Sequence, residues 1–137
     1  MSAGIEWRMQ QSEDETQISS KMDEMNISSI PEPDPVCRGY NVPEALINFL
    51  NESNAHNANK NIANSVQASI NLVKERDNFG RKKYGQPLMS QDGRNTIEDA
   101  RQEMGDLFQY VFKARMNNEN LDEIRRLVPI LMLLLET

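Results

Sequence analysis

The chain is poor in everything that would tie it to an oxidising compartment, a membrane or a nucleic-acid backbone. It has one cysteine, Cys37, so no intrachain disulfide can form and a reducing cytoplasm is the expected setting. No basic segment followed by an apolar run opens the sequence, which argues against a secretory leader. The longest apolar stretch, Leu127 to Leu135, contains Pro129 and is far too short to span a bilayer. A basic excess is also missing. The formal net charge is −6, which disfavours general binding to nucleic acid. Aromatic residues make up only 6% of the 137 positions, and no alternating apolar–polar pattern of a strand is evident. What remains is a small all-α domain with a modest core.

The acidity is concentrated at one end. Residues 1–42 hold eight acids and three bases, so the rest of the chain is close to neutral. Residues 1–40 are rich in Ser, Glu, Asp, Gln and Met and end near the proline-spaced run from Ile30 to Pro35. Such a segment cannot bury enough apolar surface to offset its ordering entropy. It reads as an acidic flexible arm with a short helix around 13–25. Trp7, Met9, Met22 and Met25 in it are either simply exposed or an adaptable contact surface. Cys37 reads as a spectator thiol of the same arm.

The helical domain is expected over 41–137. Pro43 and Glu44 suit a first helical turn, and Ala45, Leu46, Phe49 and Leu50 follow at helical spacing. The Asn-rich stretch 51–61 closes that helix, and its His56 reads as a surface residue. Ile62, Val66, Ile70 and Val73 predict a second helix over about 62–77. Gly80, Gly85 and Pro87 predict a loop from Phe79 to Leu88, continuing through Asp92-Gly93-Arg94. Asn95, with Glu98 three residues on, opens a third helix. Its buried side is expected to be Ile97, Ala100, Met104, Leu107, Phe108, Val111 and Phe112. A fourth helix, Leu121 to Leu135, carries more leucine than one face needs and is expected to be kinked or interrupted at Pro129. A homodimer or higher oligomer through residues 121–136 is therefore expected, in an antiparallel helical bundle.

The third helix carries an unusual charge pattern. Asp99, Glu103 and Asp106 fall at i, i+4 and i+7 and so form one acidic stripe. Like charges at i,i+4 destabilise a helix by about 0.2–0.5 kcal/mol. Such a stripe either faces water or meets a cation. Glu103-x-x-Asp106 sets two carboxylates one turn apart, and Mg²⁺ favours a few carboxylates together with phosphate and water. Glu75 and Asp77 close the second helix and could face the stripe. The loop before it holds Arg81, Lys82, Lys83 and Tyr84, and Arg94 stands next to the third helix N-terminus. Opposed basic and acidic elements suit a metal–phosphate ligand, with the cations on the phosphates. Nothing resembles a Ser/His/Asp arrangement, a zinc site or a phosphate-cradling glycine loop.

The run Glu75-Arg76-Asp77, Gly80-Arg81-x-Lys83-Tyr84-Gly85-x-Pro87-Leu88, Asp92-Gly93-Arg94-Asn95, Asp99-Ala100 and Glu103-x-x-Asp106-Leu107-x-x-Tyr110 resembles the MazG-like all-α nucleoside triphosphate pyrophosphohydrolases. It is particularly similar to short members from bacteriophage genomes, and the match spans roughly residues 60–116. The resemblance implies an enzyme dependent on Mg²⁺ (or Mn²⁺) that cleaves a nucleoside or deoxynucleoside triphosphate to monophosphate and pyrophosphate. It implies Glu103 and Asp106 as catalytic metal ligands and Lys83 and Tyr84 near the phosphates; the charge pattern itself adds Glu75 and Asp99 as candidate metal ligands and Arg81 and Arg94 as candidate substrate contacts. The implied location is the cytoplasm, that of the host if the source is viral. The chain departs from the family on the preceding helix, where an ExxE pair is common and Glu75 stands alone at the end of Gln67–Glu75. A nucleotide-sequestering protein without turnover, or a structural helical module, are the alternatives.

Overall fold

The computed structural model describes residues 34–56 and 60–137, the side chains of 60 and 61 excepted. The segment 1–33, with Trp7, Met9, Met22, Met25 and the helix expected around 13–25, lies outside the described residues, as does part of the Asn-rich linker. The described residues are all-helical. They form α1 (Val42–Ala55), α2 (Lys60–Tyr84), α3 (Thr96–Met116) and α4 (Asp122–Glu136). No strand occurs among them, only an isolated bridge between Asn41 and Met89.

Each helix start has a chemical cause. The Asn41 side chain accepts a hydrogen bond from the Glu44 backbone N–H at 3.1 Å and so caps α1, with Pro43 in its first turn. Asn95 caps α3 in the same way through Glu98 N–H, also at 3.1 Å. Asn120 accepts from Asp122 N–H at 2.8 Å at the head of α4. Pro129 lies inside α4, which runs past it without interruption, contrary to one of the two expectations for that position.

The second helix is longer than the glycine and proline pattern suggests. It continues through Phe79-Gly80 to Tyr84, so the first half of the expected loop is helical. Asp77 and Arg81 pair at i,i+4, both Asp77 carboxylate oxygens lying 3.0 Å from Arg81 Nε. The Arg76 guanidinium sits 4.5 Å from the centre of the Phe79 ring. Arg81, Lys82 and Lys83 occupy the last turn, where cations favour the negative end of the helix dipole. Gly85, at φ +74°, ends the helix in the left-handed conformation and donates from its N–H to the Arg81 carbonyl at 2.8 Å. Together these outweigh the helical cost of Gly80, about 1 kcal/mol.

Packing is centred on α2. Val66 and Ile70 are buried against Leu50 of α1 and Ile130 of α4, with Leu46, Ile47, Phe49, Ile62 and Leu133 packed around them. Ser65 and Ser69, also buried, keep this side of α2 small. Thus α1 and α4 both pack on α2. In contrast, α3 meets none of the other three described helices. Its expected buried side is not buried in the chain: Ile97 is 77% exposed and Phe108 66%, and no α3 residue is fully enclosed. The periodicity identifies an apolar face without saying what covers it.

The described residues just before α1 are held by backbone pairing. Residues 36–42 run antiparallel to 88–92, joined by Val36 N–H to Asp92 O, Gln91 N–H to Arg38 O, Ser90 N–H to Tyr40 O and Val42 N–H to Leu88 O, all 2.9–3.0 Å. Tyr40 N–H also donates to Ser90 Oγ at 2.7 Å. Cys37 lies in this strap with an exposed thiol. The strap fixes the loop between α2 and α3, and that loop sets where α3 begins.

Candidate functional site

The strap, the second half of α2, the α2–α3 loop and the start of α3 enclose a groove of about 480 Å³. This is within the usual range for small-molecule sites. One wall comes from α2, with Val73, Arg76, Asp77, Gly80 and Tyr84. The first two turns of α3 supply Asp99, Gln102 and Glu103 opposite. The head of α1 gives an apolar floor of Val42, Pro43 and Leu46, extended by Pro87 and Leu88. Arg94 and the buried Asp92 complete the lining.

Local geometry explains how the polar groups are held. Asp92 turns its carboxylate onto the Arg94 backbone N–H at 3.1 Å, while its carbonyl accepts from the strap. Gly93 between them adopts φ +83°, which a side chain would strain. The resulting turn delivers the Arg94 guanidinium to Asp99, with Nε 3.1 Å from Oδ2 and Nη2 3.3 Å from Oδ1. Such a two-toothed pairing is the strong form of the Arg–carboxylate contact. Asp99 is therefore neutralised locally, where the sequence pattern alone shows bare like charge.

The groove collects some of the residues singled out in the sequence and leaves others outside. Tyr84, Arg94, Asp99 and Glu103 line it. Glu75, Arg81, Lys83 and Asp106 do not. Arg81 is engaged with Asp77, and Lys83 lies 5.1 Å from the Tyr84 ring centre, both on exposed surface. Asp106, one turn beyond Glu103, is exposed past the end of the groove. Among the described residues no three carboxylate, His or Cys side chains come together as a metal-holding group.

Three contributors were not marked in the sequence. Arg76 was legible only as part of the Glu75-Arg76-Asp77 run, and Gln102 carries no signal beyond its place next to Glu103. Gln86 has a stronger signature. Its side-chain Nε2 is buried beside the groove and has no hydrogen-bond partner among the described residues. A buried donor left unsatisfied costs about 1–3 kcal/mol, so a water or a ligand acceptor at this point of the groove would relieve it.

No described helix is long and apolar enough to cross a membrane. No family model matches the chain, and no curated protein or solved structure matches it.

Proposed function

We propose that the groove binds a nucleoside triphosphate together with Mg²⁺ and cleaves it to monophosphate and pyrophosphate. The observation that supports this reading is the mixed lining of the groove: carboxylates and guanidinium groups from α2, α3 and the loop between them, together with an apolar floor. The floor of Val42, Leu46 and Leu88 suits a base, while Arg76 and Arg94 suit the phosphates. The resemblance of residues 60–116 to MazG-like pyrophosphohydrolases points to the same substrate.

The donor set bears on how a metal would be held. Asp77 and Asp99 are both engaged by arginine, and among the described residues no third carboxylate joins Asp99 and Glu103 as a metal-holding group. These residues do not make a resident metal site. They suit a Mg²⁺ ion that arrives on the triphosphate and takes one or two carboxylates from α3. The chain's own part is then to orient the triphosphate and accept a proton. Glu103 takes the proton of a water that attacks the α-phosphorus. The new P–O bond forms as the bridging P–O bond to the β-phosphate breaks, and pyrophosphate leaves with that electron pair. Arg76 and Arg94 stabilise the added negative charge.

A second reading has its own support. Arginine already neutralises two of the groove's carboxylates, which favours holding a nucleotide over hydrolysing it. A thermal-shift screen of nucleoside triphosphates with and without Mg²⁺, followed by product analysis, separates these readings. A stabilising nucleotide that yields monophosphate and pyrophosphate supports the enzyme. Stabilisation without product supports sequestration. Absence of any shift at millimolar nucleotide removes both and leaves a structural helical module.

A further inference from the structure

Gln86 lines the groove but takes no part in moving the proton or holding the phosphates. Its Nε2 is enclosed and has no hydrogen-bond partner among the described residues. The backbone around it is pinned on both sides. Gly85 donates from its N–H to the Arg81 carbonyl at 2.8 Å, and the Leu88 carbonyl accepts from Val42 N–H at 2.9 Å. Pro87 further disfavours a helical backbone at Gln86. The carboxamide is thus the part that turns most easily. Its terminal torsion is broad, and Nε2 gives up no hydrogen bond to a described residue in turning toward a ligand.

The surroundings of Gln86 narrow the acceptor it would meet. Pro87 and Leu88, next to it in the chain, and Val42, Pro43 and Leu46 of α1 line the same groove and offer no side-chain acceptor. The carboxylates of Asp77 and Asp99 are engaged by Arg81 and Arg94, and that of Asp92 accepts from the Arg94 backbone N–H. A phosphate goes to the guanidinium groups of Arg76 and Arg94 in preference to a neutral amide. Arg76 lies eight residues, about 12 Å, along α2 from Tyr84. Tyr84, two residues before Gln86, brings an aromatic ring to the lining. A nucleotide with its phosphates at Arg76 can therefore extend its base toward Tyr84 and Gln86.

We propose that Gln86 determines which base is taken: its Nε2 donates to a base carbonyl oxygen, and adenine nucleotides are disfavoured. Where guanine, hypoxanthine, thymine and uracil carry that oxygen, adenine carries an amino group, which sets a donor against a donor. An amide without a protein partner gains a bond with the first class and stays unpaired with adenine, so the difference falls on binding of the base. This inference rests on the reading of the groove as a nucleotide site.

The test is calorimetric titration of the full chain, in Mg²⁺, with the uncleavable α,β-methylene analogues of GTP, ITP, UTP and ATP, and with inorganic tripolyphosphate as the ligand without a base. ITP and ATP differ in having a carbonyl oxygen or an amino group at one ring position. The three carbonyl-bearing analogues should bind about 10- to 100-fold tighter than the ATP analogue. Gln86→Met keeps the length of the side chain but removes the donor. It should bring all four analogues to similar affinity and leave tripolyphosphate unchanged. Gln86→Glu puts an acceptor in place of the donor and should reverse the order of the ITP and ATP analogues. Equal affinities for all four in the unaltered chain overturn the inference and leave a water as the partner of the amide. So does a preference that survives Gln86→Met, or a Gln86→Met change that weakens tripolyphosphate as much as the nucleotides. In each of those cases the triphosphates still bind, and the nucleotide reading of the groove stands. Binding of none of the ligands, tripolyphosphate included, overturns that reading and the inference together.

Discussion

Arg94 grips Asp99 through two hydrogen bonds of 3.1 and 3.3 Å, joining the loop before α3 to the first turns of that helix. Both side chains are partly exposed, at 26% and 36%. The pair therefore adds about 0.5–1 kcal/mol, the upper part of the range for solvent-screened pairs, and owes that to its two-toothed geometry. Arg94→Ala should lower the melting temperature by a few degrees. Arg94→Lys should restore little of it, because an ammonium cannot reproduce the fork. The same Arg94→Ala substitution leaves Asp99 without this guanidinium, so calorimetric titration should show tighter Mg²⁺ or Mn²⁺ binding and weaker triphosphate binding. Unchanged affinities for both would remove Arg94 and Asp99 from the ligand site.

Gly80 and Gly105 make a matched pair. Both lie in helix interiors, and a Cβ added at either meets nothing within 4 Å. Each Gly→Ala change should stabilise the fold by about 0.5–1 kcal/mol, through helix propensity and a less free unfolded chain. Only Gly80 lines the groove. Gly80→Ala should therefore also weaken nucleotide binding, because the new methyl group takes space a ligand needs. Gly105→Ala should leave binding alone. Melting curves with and without nucleotide measure both effects at once. Equal nucleotide shifts in the two variants would place the ligand elsewhere.

These two glycines also mark how far the sequence could be read. The cap at Asn95 was legible because Glu98, three residues on, completes a local pattern, whereas the cap at Asn41 was not marked and only Pro43 and Glu44 pointed to the start of α1. The stripe of Ile62, Val66, Ile70 and Val73 was legible because α2 is covered along that side by its own chain. Gly80 misled because a glycine inside a helix looks like a glycine ending one. The deciding contacts, Asp77 with Arg81 and the left-handed Gly85, are visible only once the helix is assumed to continue. For α3 the pattern marks an apolar face, but burial is a property of what packs there, and none of the other three described helices does. The groove was half legible for a related reason. Helical spacing puts Asp99, Glu103 and Asp106 in one line, yet where the groove ends along that line depends on the loop fixed by the strap.

The strap provides a test of that dependence. Gly39 has φ +87°, and a Cβ there would run into Ser90 Oγ and crowd the Gln91 backbone nitrogen. Gly39→Ala therefore combines a left-handed strain of about 1–2 kcal/mol with a clash on the loop it pairs with. The expected result is a fall in melting temperature of roughly 5–15 °C. Hydrogen exchange should speed up at the Ser90 and Gln91 amides, which donate to the strap, more than at Val66 or Ile70 in the core. Uniform loss of protection across α1, α2 and α4 would show instead that the strap is part of the core's cooperative unit.

Glu103 and Asp106 stand one turn apart on the same stripe, but only Glu103 borders the groove. If Glu103 is the proton acceptor, Glu103→Gln should lower kcat by about 100-fold or more while triphosphate binding is largely kept, because the amide preserves shape but cannot accept the proton. Asp106→Asn should have a smaller effect on kcat, since its carboxylate lies beyond the groove. Were both carboxylates to hold one metal ion at the reacting phosphate, the two substitutions would cost alike and both would raise the Mg²⁺ concentration needed for half-maximal rate. Steady-state kinetics over a Mg²⁺ series therefore separates the roles. A Glu103→Gln chain that retains full turnover would exclude Glu103 as the base, whatever the fate of Asp106.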